Sequence, residues 1–190
     1  MIDDAGGWSV VYKTSSYSIK AMYQRLLGPY EKFRWRRLIW QNKASPKSLF
    51  IAWVAIWGRL PTLDRLLRWK VVDSNICPLC SNQPESIQHL FFECGYSAAI
   101  WSYVLRSLQF TRTVGKFDYE MTWMMKAAKR TGDRFKLLIT YFDECIYGVW
   151  LQRNAKVFTG SCRSPHEMLK DIKFRVACRA TDSQQQLLLD

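Results

Sequence analysis

The sequence predicts a mainly α domain with a small N-terminal β element. Three observations carry that expectation. From about residue 33 onward, apolar residues recur at intervals of three and four, the period of a helix buried on one face. Helix punctuation frames these runs: Pro46 and Pro165 suit first turns, and Gly28-Pro29 suits a stop. Residues 7–19 differ, being rich in Trp, Val, Tyr, Ser and Thr, and read as two short strands turning at Lys13-Thr14-Ser15.

In chain order, a helix from Ile19 to Leu27 carries Ala21, Met22, Tyr23, Leu26 and Leu27. A short helix from Phe33 to Gln41 sets Trp35, Leu38 and Ile39 against Arg34, Arg36 and Arg37. The next helix runs from Pro46 to about Gly58, with Leu49, Phe50, Trp53, Val54 and Trp57 expected in the core. Another begins at Leu60-Pro61-Thr62 and turns Leu63, Leu66 and Leu67 inward. Ser97 to Phe110 places Ile100, Trp101, Val104, Leu105 and Leu108 on one face, and Phe117 to Arg130 is helical. A long helix from Asp133 to Phe158 repeats Leu138, Ile139, Phe142, Ile146, Val149, Trp150 and Val157. Ser164-Pro165 caps a last helix to about Arg179, and the tail from Gln184 to Asp190 is expected to fray. The chain divides into residues 1–30, 31–112 and 113–190, packed as one compact domain.

Between these helices lies Cys77-Pro78-Leu79-Cys80, followed by His89 and Cys94, a spacing of C-x2-C-x8-H-x4-C. Three thiolates and one imidazole are a tetrahedral ligand set for Zn²⁺. Four protein ligands leave no position for water or substrate, so the site reads as structural. The competing accounts are ordinary core cysteines or a Cys77–Cys80 disulfide. The latter suits secretion, yet Met-Ile-Asp-Asp opens the chain without a basic, apolar leader. Cys145, Cys162 and Cys178 remain as spare thiols, expected to be buried.

Charge adds a partner class. The 190 residues carry a net charge of +12, with +8 in residues 1–76 and +4 in residues 77–190. A surplus of that size suits a polyanion, nucleic acid before membrane. The apolar run from Leu49 to Trp57 is far short of the roughly 20 residues of a membrane helix. From Cys77 to Cys94 there is no Lys or Arg, but there are Glu85 and Glu93, so the metal loop is a poor phosphate contact. Its flanks are basic, and Arg34, Arg36, Arg37, Arg65, Arg68 and Lys70 are the expected nucleic-acid contacts.

Several motifs together resemble a known family. They are Trp57-Gly58-Arg59-Leu60-Pro61-Thr62-Leu63-Asp64-Arg65-Leu66, the Cys77–Cys80 turn, His89-Leu90-Phe91-Phe92-Glu93-Cys94 and Ile100-Trp101. The segments Tyr17-Ser18-Ile19-Lys20-Ala21-Met22-Tyr23, Trp40 to Trp53, and Trp150-Leu151-Gln152-Arg153-Asn154 through Phe158 extend the match. The pattern resembles the zinc-binding domain that follows the polymerase in plant non-LTR (LINE-type) retrotransposon reverse transcriptases. The resemblance implies Cys77, Cys80, His89 and Cys94 as ligands and a module accessory to reverse transcription, engaging RNA or DNA. It also implies a fragment, a degenerate copy or a domesticated gene product.

Polymerase chemistry itself is not expected. Tyr141-Phe142-Asp143-Glu144 is superficially similar to a Tyr-x-Asp-Asp box, but Glu stands at the fourth place within an apolar helical pattern. It reads as core plus solvent-facing acids. His166, the only other histidine, follows a helix cap. Two functions compete: a non-catalytic, zinc-stabilised nucleic-acid-binding domain, and a protein-interaction module docking on a polymerase or other protein. An intracellular setting is expected, and retroelement ancestry suggests the nucleus.

Overall fold

The computed structural model describes residues 33–189, together with Ile19, Tyr23, Leu26 and Gly28. Two units are distinguished, Met1–Phe33 and Arg34–Asp190. The expected strands in residues 7–19 lie outside the described residues. So does the Ile19-to-Leu27 helix, apart from Ile19, Tyr23 and Leu26, which are helical.

The second unit is mainly helical. Its elements are α1 (Arg36–Trp40), α2 (Pro46–Ile56), α3 (Leu63–Arg68), a π-helical turn (His89–Glu93), α4 (Gly95–Ser107), α5 (Phe117–Ala127), α6 (Asp133–Thr159), α7 (Pro165–Ala177) and α8 (Asp182–Leu189). Local chemistry sets several boundaries. Ser45 caps α2 by accepting from the Ser48 N–H at 3.1 Å, with Pro46 at the first turn. Ser164 and Glu167 form a reciprocal capping box at α7. Gly160, at φ +73°, ends α6 in the left-handed conformation that glycine adopts without strain.

The long α6 is the axle of this unit, packing against α2, α4, α7 and α8. Leu137, Leu138, Tyr141, Phe142, Cys145, Ile146 and Val149 are all buried along it, so it is apolar on more than one side. Gly148 lets α7 approach: a Cβ there would lie 3.0 Å from Met168 Cε and 3.2 Å from Ile172 Cδ1. An aromatic cluster joins the π-helical turn to this core. Phe92 lies 5.8 Å from Trp101, 5.9 Å from Phe117 and 5.8 Å from Phe142, ring centre to ring centre.

Several expectations need correction. In α2 the buried positions are Ser48, Ala52 and Ala55, while Phe50 and Trp57 are 59% and 40% exposed. Both sets share the helical period. Small side chains at the contact line let α2 come close to α6, and the larger ones are displaced to the flanks. Leu67 and Val157 are exposed as well.

Asp143 and Glu144 are fully buried, not solvent-facing. Glu144 accepts from the Ser45 N–H and from Arg175 Nε, each at 2.8 Å. Asn42 Nδ2 donates to Asp143 Oδ2, whereas Asp143 Oδ1 has no partner. Burial, and then the charge of Glu144, hold the Asp143 carboxyl well above the usual carboxylate range.

The C-terminal tail is helical as α8, because Gln184 is buried and Ser183 Oγ donates to Asp133 Oδ2 at 2.9 Å, tying it to α6. Of the spare thiols only Cys145 is buried; Cys162 is half-buried and Cys178 exposed.

Candidate metal centre

The metal loop is built as a knuckle. An antiparallel bridge pairs Ile76 with Pro84, and the Glu85 N–H donates to Asn75 O at 2.6 Å. Inside it the Cys77 N–H donates to Gln83 O and the Ser81 N–H to Cys77 O, both at 2.8 Å. The turn closes through Ser81 at φ +54°, a left-handed position. These bonds place Cys77 and Cys80 on one side of a tight loop.

The other two ligands come from the opposite wall. His89 opens the π-helical turn and Cys94 follows it. The Cys94 N–H donates to His89 O at 2.7 Å, the five-residue step of a π-turn. That step sets His89 and Cys94 facing the same point while Leu90, Phe91 and Phe92 enter the core. Ser97 Oγ, donating to Cys94 O at 3.1 Å, fixes the start of α4.

The ligand atoms of Cys77, Cys80, His89 and Cys94 all lie within 4.8 Å of one another. Cys77 Sγ is 3.9 Å from Cys94 Sγ, and Cys80 Sγ is 3.3 Å from His89 Nε2. Around a tetrahedral zinc, sulfurs sit about 3.8 Å apart and sulfur and nitrogen about 3.6 Å apart. The donor set and its spacing fit a metal ion. Residues 17–101 match the family described as zinc-binding in reverse transcriptase. No curated protein and no solved structure matches the chain.

The matched span contains all four ligands, α1 to α3 and the first half of α4; the chain thus carries a zinc-binding domain related to reverse transcriptases. Electrostatics in this zinc-binding domain suit the ligand roles. Burial lowers the His89 pKa, favouring the neutral imidazole that binds metal. The hydrogen bond between Cys77 and Cys94 pushes the Cys94 thiol down and the Cys77 thiol up.

A buried ion pair braces the knuckle, and sequence reasoning missed it. Glu85 is fully buried, and Arg153 of α6 donates to it from Nε at 3.1 and 3.2 Å and from Nη2 at 2.9 Å. Glu85 Oε1 also accepts the Leu63 N–H at 2.7 Å, capping α3, and Arg153 Nη2 reaches Pro61 O at 3.3 Å. Knuckle, α3 and α6 therefore meet at one carboxylate. The signal in the sequence was an arginine continuing the buried stripe of Ile146, Val149 and Trp150.

The six basic positions fall in different settings. Arg34, Arg36, Arg68 and Lys70 are exposed; Arg37 and Arg65 are half-buried. Arg65 donates to Gly58 O and stacks 5.0 Å over Trp69. Arg68 pairs with Asp64 at 3.6 Å. Arg34 lines a groove with Lys126 and Lys129 of the α5 end, a grouping invisible in the linear sequence.

Proposed function

We propose that this chain is a non-catalytic, zinc-stabilised accessory domain that binds nucleic acid through the phosphate backbone. The observation that carries the reading is a ligand set already complete in protein atoms, Cys77, Cys80, His89 and Cys94, beside the exposed cations Arg34, Arg36 and Lys70, which form no ion pair among the described residues. Bound Zn²⁺ supplies folding free energy, on the order of 10–16 kcal/mol in isolated peptides. The protein residues do the rest: the knuckle holds α3 and α4 in one orientation, and Arg34, Arg36 and Lys70 offer charge to phosphates. Descent from a LINE-type reverse transcriptase rests on the motif resemblance. Thiolate ligands suit a reducing compartment, and nucleic acid as partner suits the nucleus.

A second reading has its own observation. Trp40 and Phe50 are 65% and 59% exposed, and apolar surface of this kind serves docking on a polymerase or another protein. One titration separates the two. Metal-loaded chain is titrated against labelled single- and double-stranded RNA and DNA at two ionic strengths. Salt-dependent binding, weakened in Arg36→Ala/Arg37→Ala, is the expected result; no binding to any of the four overturns the nucleic-acid reading.

A further inference from the structure

Two grooves meet along the α5 end. One, of about 310 Å³, is lined by Arg34, Thr122, Met125, Lys126 and Lys129. The other, of about 470 Å³, lies between α5 and the start of α6, with Phe110, Trp123, Lys126, Arg130, Arg134 and Phe135 in its walls. Lys126 lines both, so they share a rim. Among the described residues no carboxylate lines either groove. Among the described residues none of Arg34, Lys126, Lys129, Arg130 and Arg134 forms an ion pair. Several cations elsewhere are matched: Arg112 with Glu120, Arg153 with Glu85, Arg175 with Glu144.

The second groove is also aromatic. Phe110, Trp123 and Phe135 are half-buried, with Phe110 5.5 Å from Trp123 and 5.7 Å from Phe135. Guanidinium groups already lie over these rings: Arg134 is 4.0 Å from the Phe110 centre and Arg130 5.2 Å from Phe135. Arg112 lies over Trp123 likewise, 4.2 Å from the ring centre, so a nucleobase stacks here by displacing a guanidinium group from the ring face. Arg134 Nε is buried without a hydrogen-bond partner, leaving a donor at the groove wall.

The geometry points to a binding path for single-stranded nucleic acid along this edge. Its phosphates lie on Lys126, Lys129, Arg130 and Arg34, and its bases stack in the groove of Phe110, Trp123 and Phe135. This rests on the nucleic-acid reading above and gives it a location, mostly outside the residues that the family match covers. Unmatched cations supply backbone affinity, and aromatic faces stack any base, so recognition is blind to sequence. A duplex hides its base faces and gains nothing from the rings.

The test uses the full metal-loaded chain and a labelled 16-nucleotide mixed-sequence probe, as single strand and as duplex, at two salt concentrations. In Lys126→Glu/Lys129→Glu, single-strand affinity is expected to fall roughly ten- to thirtyfold near 0.1 M salt, and the log–log salt slope by about 1.4. Lys126→Gln/Lys129→Gln loses the same two contacts, so the slope should fall by about the same amount and the affinity by less. Photo-crosslinking of the wild-type chain to a 5-iodouracil probe should mark Trp123, Phe110 or Phe135. Wild-type affinity in both lysine variants, with Arg36→Ala/Arg37→Ala impaired, overturns this path and leaves the nucleic-acid reading standing. Equal affinity for duplex and single strand, or crosslinks confined to residues 65–94, also overturns it. A wild-type chain that binds no probe ends both.

Discussion

The knuckle and the α5 end are opposites in charge. The knuckle carries no Lys or Arg, buries Glu85 against Arg153 and draws Phe91 and Phe92 into the core. The α5 end exposes Lys126, Lys129 and Arg130, with no carboxylate in the groove walls among the described residues. The first region spends its polar chemistry inward, on holding elements together; the second leaves its charge for something outside. A metal loop beside basic helices need not be the part that touches a polyanion.

The largest effect expected from breaking this comparison comes from the metal. Chelation, or Cys94→Ser, should abolish hydrogen-exchange protection at the amides of Cys77, Ser81 and Cys94 while leaving the α6–α7 pair protected. The α6–α7 contact, at Gly148, Met168 and Ile172, involves none of the ligands. Loss of protection across α6 as well would show one cooperative unit, with the metal holding all of it.

Next in size is the brace. Arg153→Ala leaves Glu85 buried without its counter-ion, and should cost about 3–5 kcal/mol of stability in chemical denaturation. Adding Glu85→Gln should recover part of that loss, because the uncompensated charge is gone. An unchanged denaturation midpoint in Arg153→Ala would remove the brace from the account.

Smaller effects sharpen the contrast between structural and free charge. Ser164→Ala removes the α7 cap and should cost about 1 kcal/mol, or roughly 2–4 °C in Tm, without touching nucleic-acid affinity. Asp143 gives a pH signature. Its folded carboxyl titrates above the unfolded one, near 3.9, so the folded state holds a proton that the unfolded chain releases. Stability from this group is intact below the unfolded value and falls as pH rises toward the folded one. Asp143→Asn should therefore raise Tm at pH 8 and leave it nearly unchanged at pH 4. A Tm gain that is the same at both would contradict the buried, protonated carboxyl.

How much was legible in the sequence follows from range. The four ligands span eighteen residues, and close spacing with a defined donor chemistry leaves few geometries, so Cys77, Cys80, His89 and Cys94 could be found together. Helices α4, α6 and α7 were legible for the same reason, since periodicity and caps such as Ser164 are local. The buried face of α2 was not. Ser48, Ala52 and Ala55 share the period of Leu49, Phe50 and Trp53, and only the proximity of α6 decides between them. Asp143 and Glu144 looked exposed because their partners, Asn42, Ser45 and Arg175, lie far away in sequence. The Arg34–Lys126–Lys129 grouping was hidden likewise, joining residues about ninety positions apart.

Zinc K-edge X-ray absorption on the purified full-length chain tests the central claim most directly. One zinc per chain, with three sulfurs near 2.3 Å and one nitrogen near 2.0 Å, is the predicted shell. A chain that retains no metal, or a shell in which a light oxygen ligand replaces one of the three sulfurs, would contradict it.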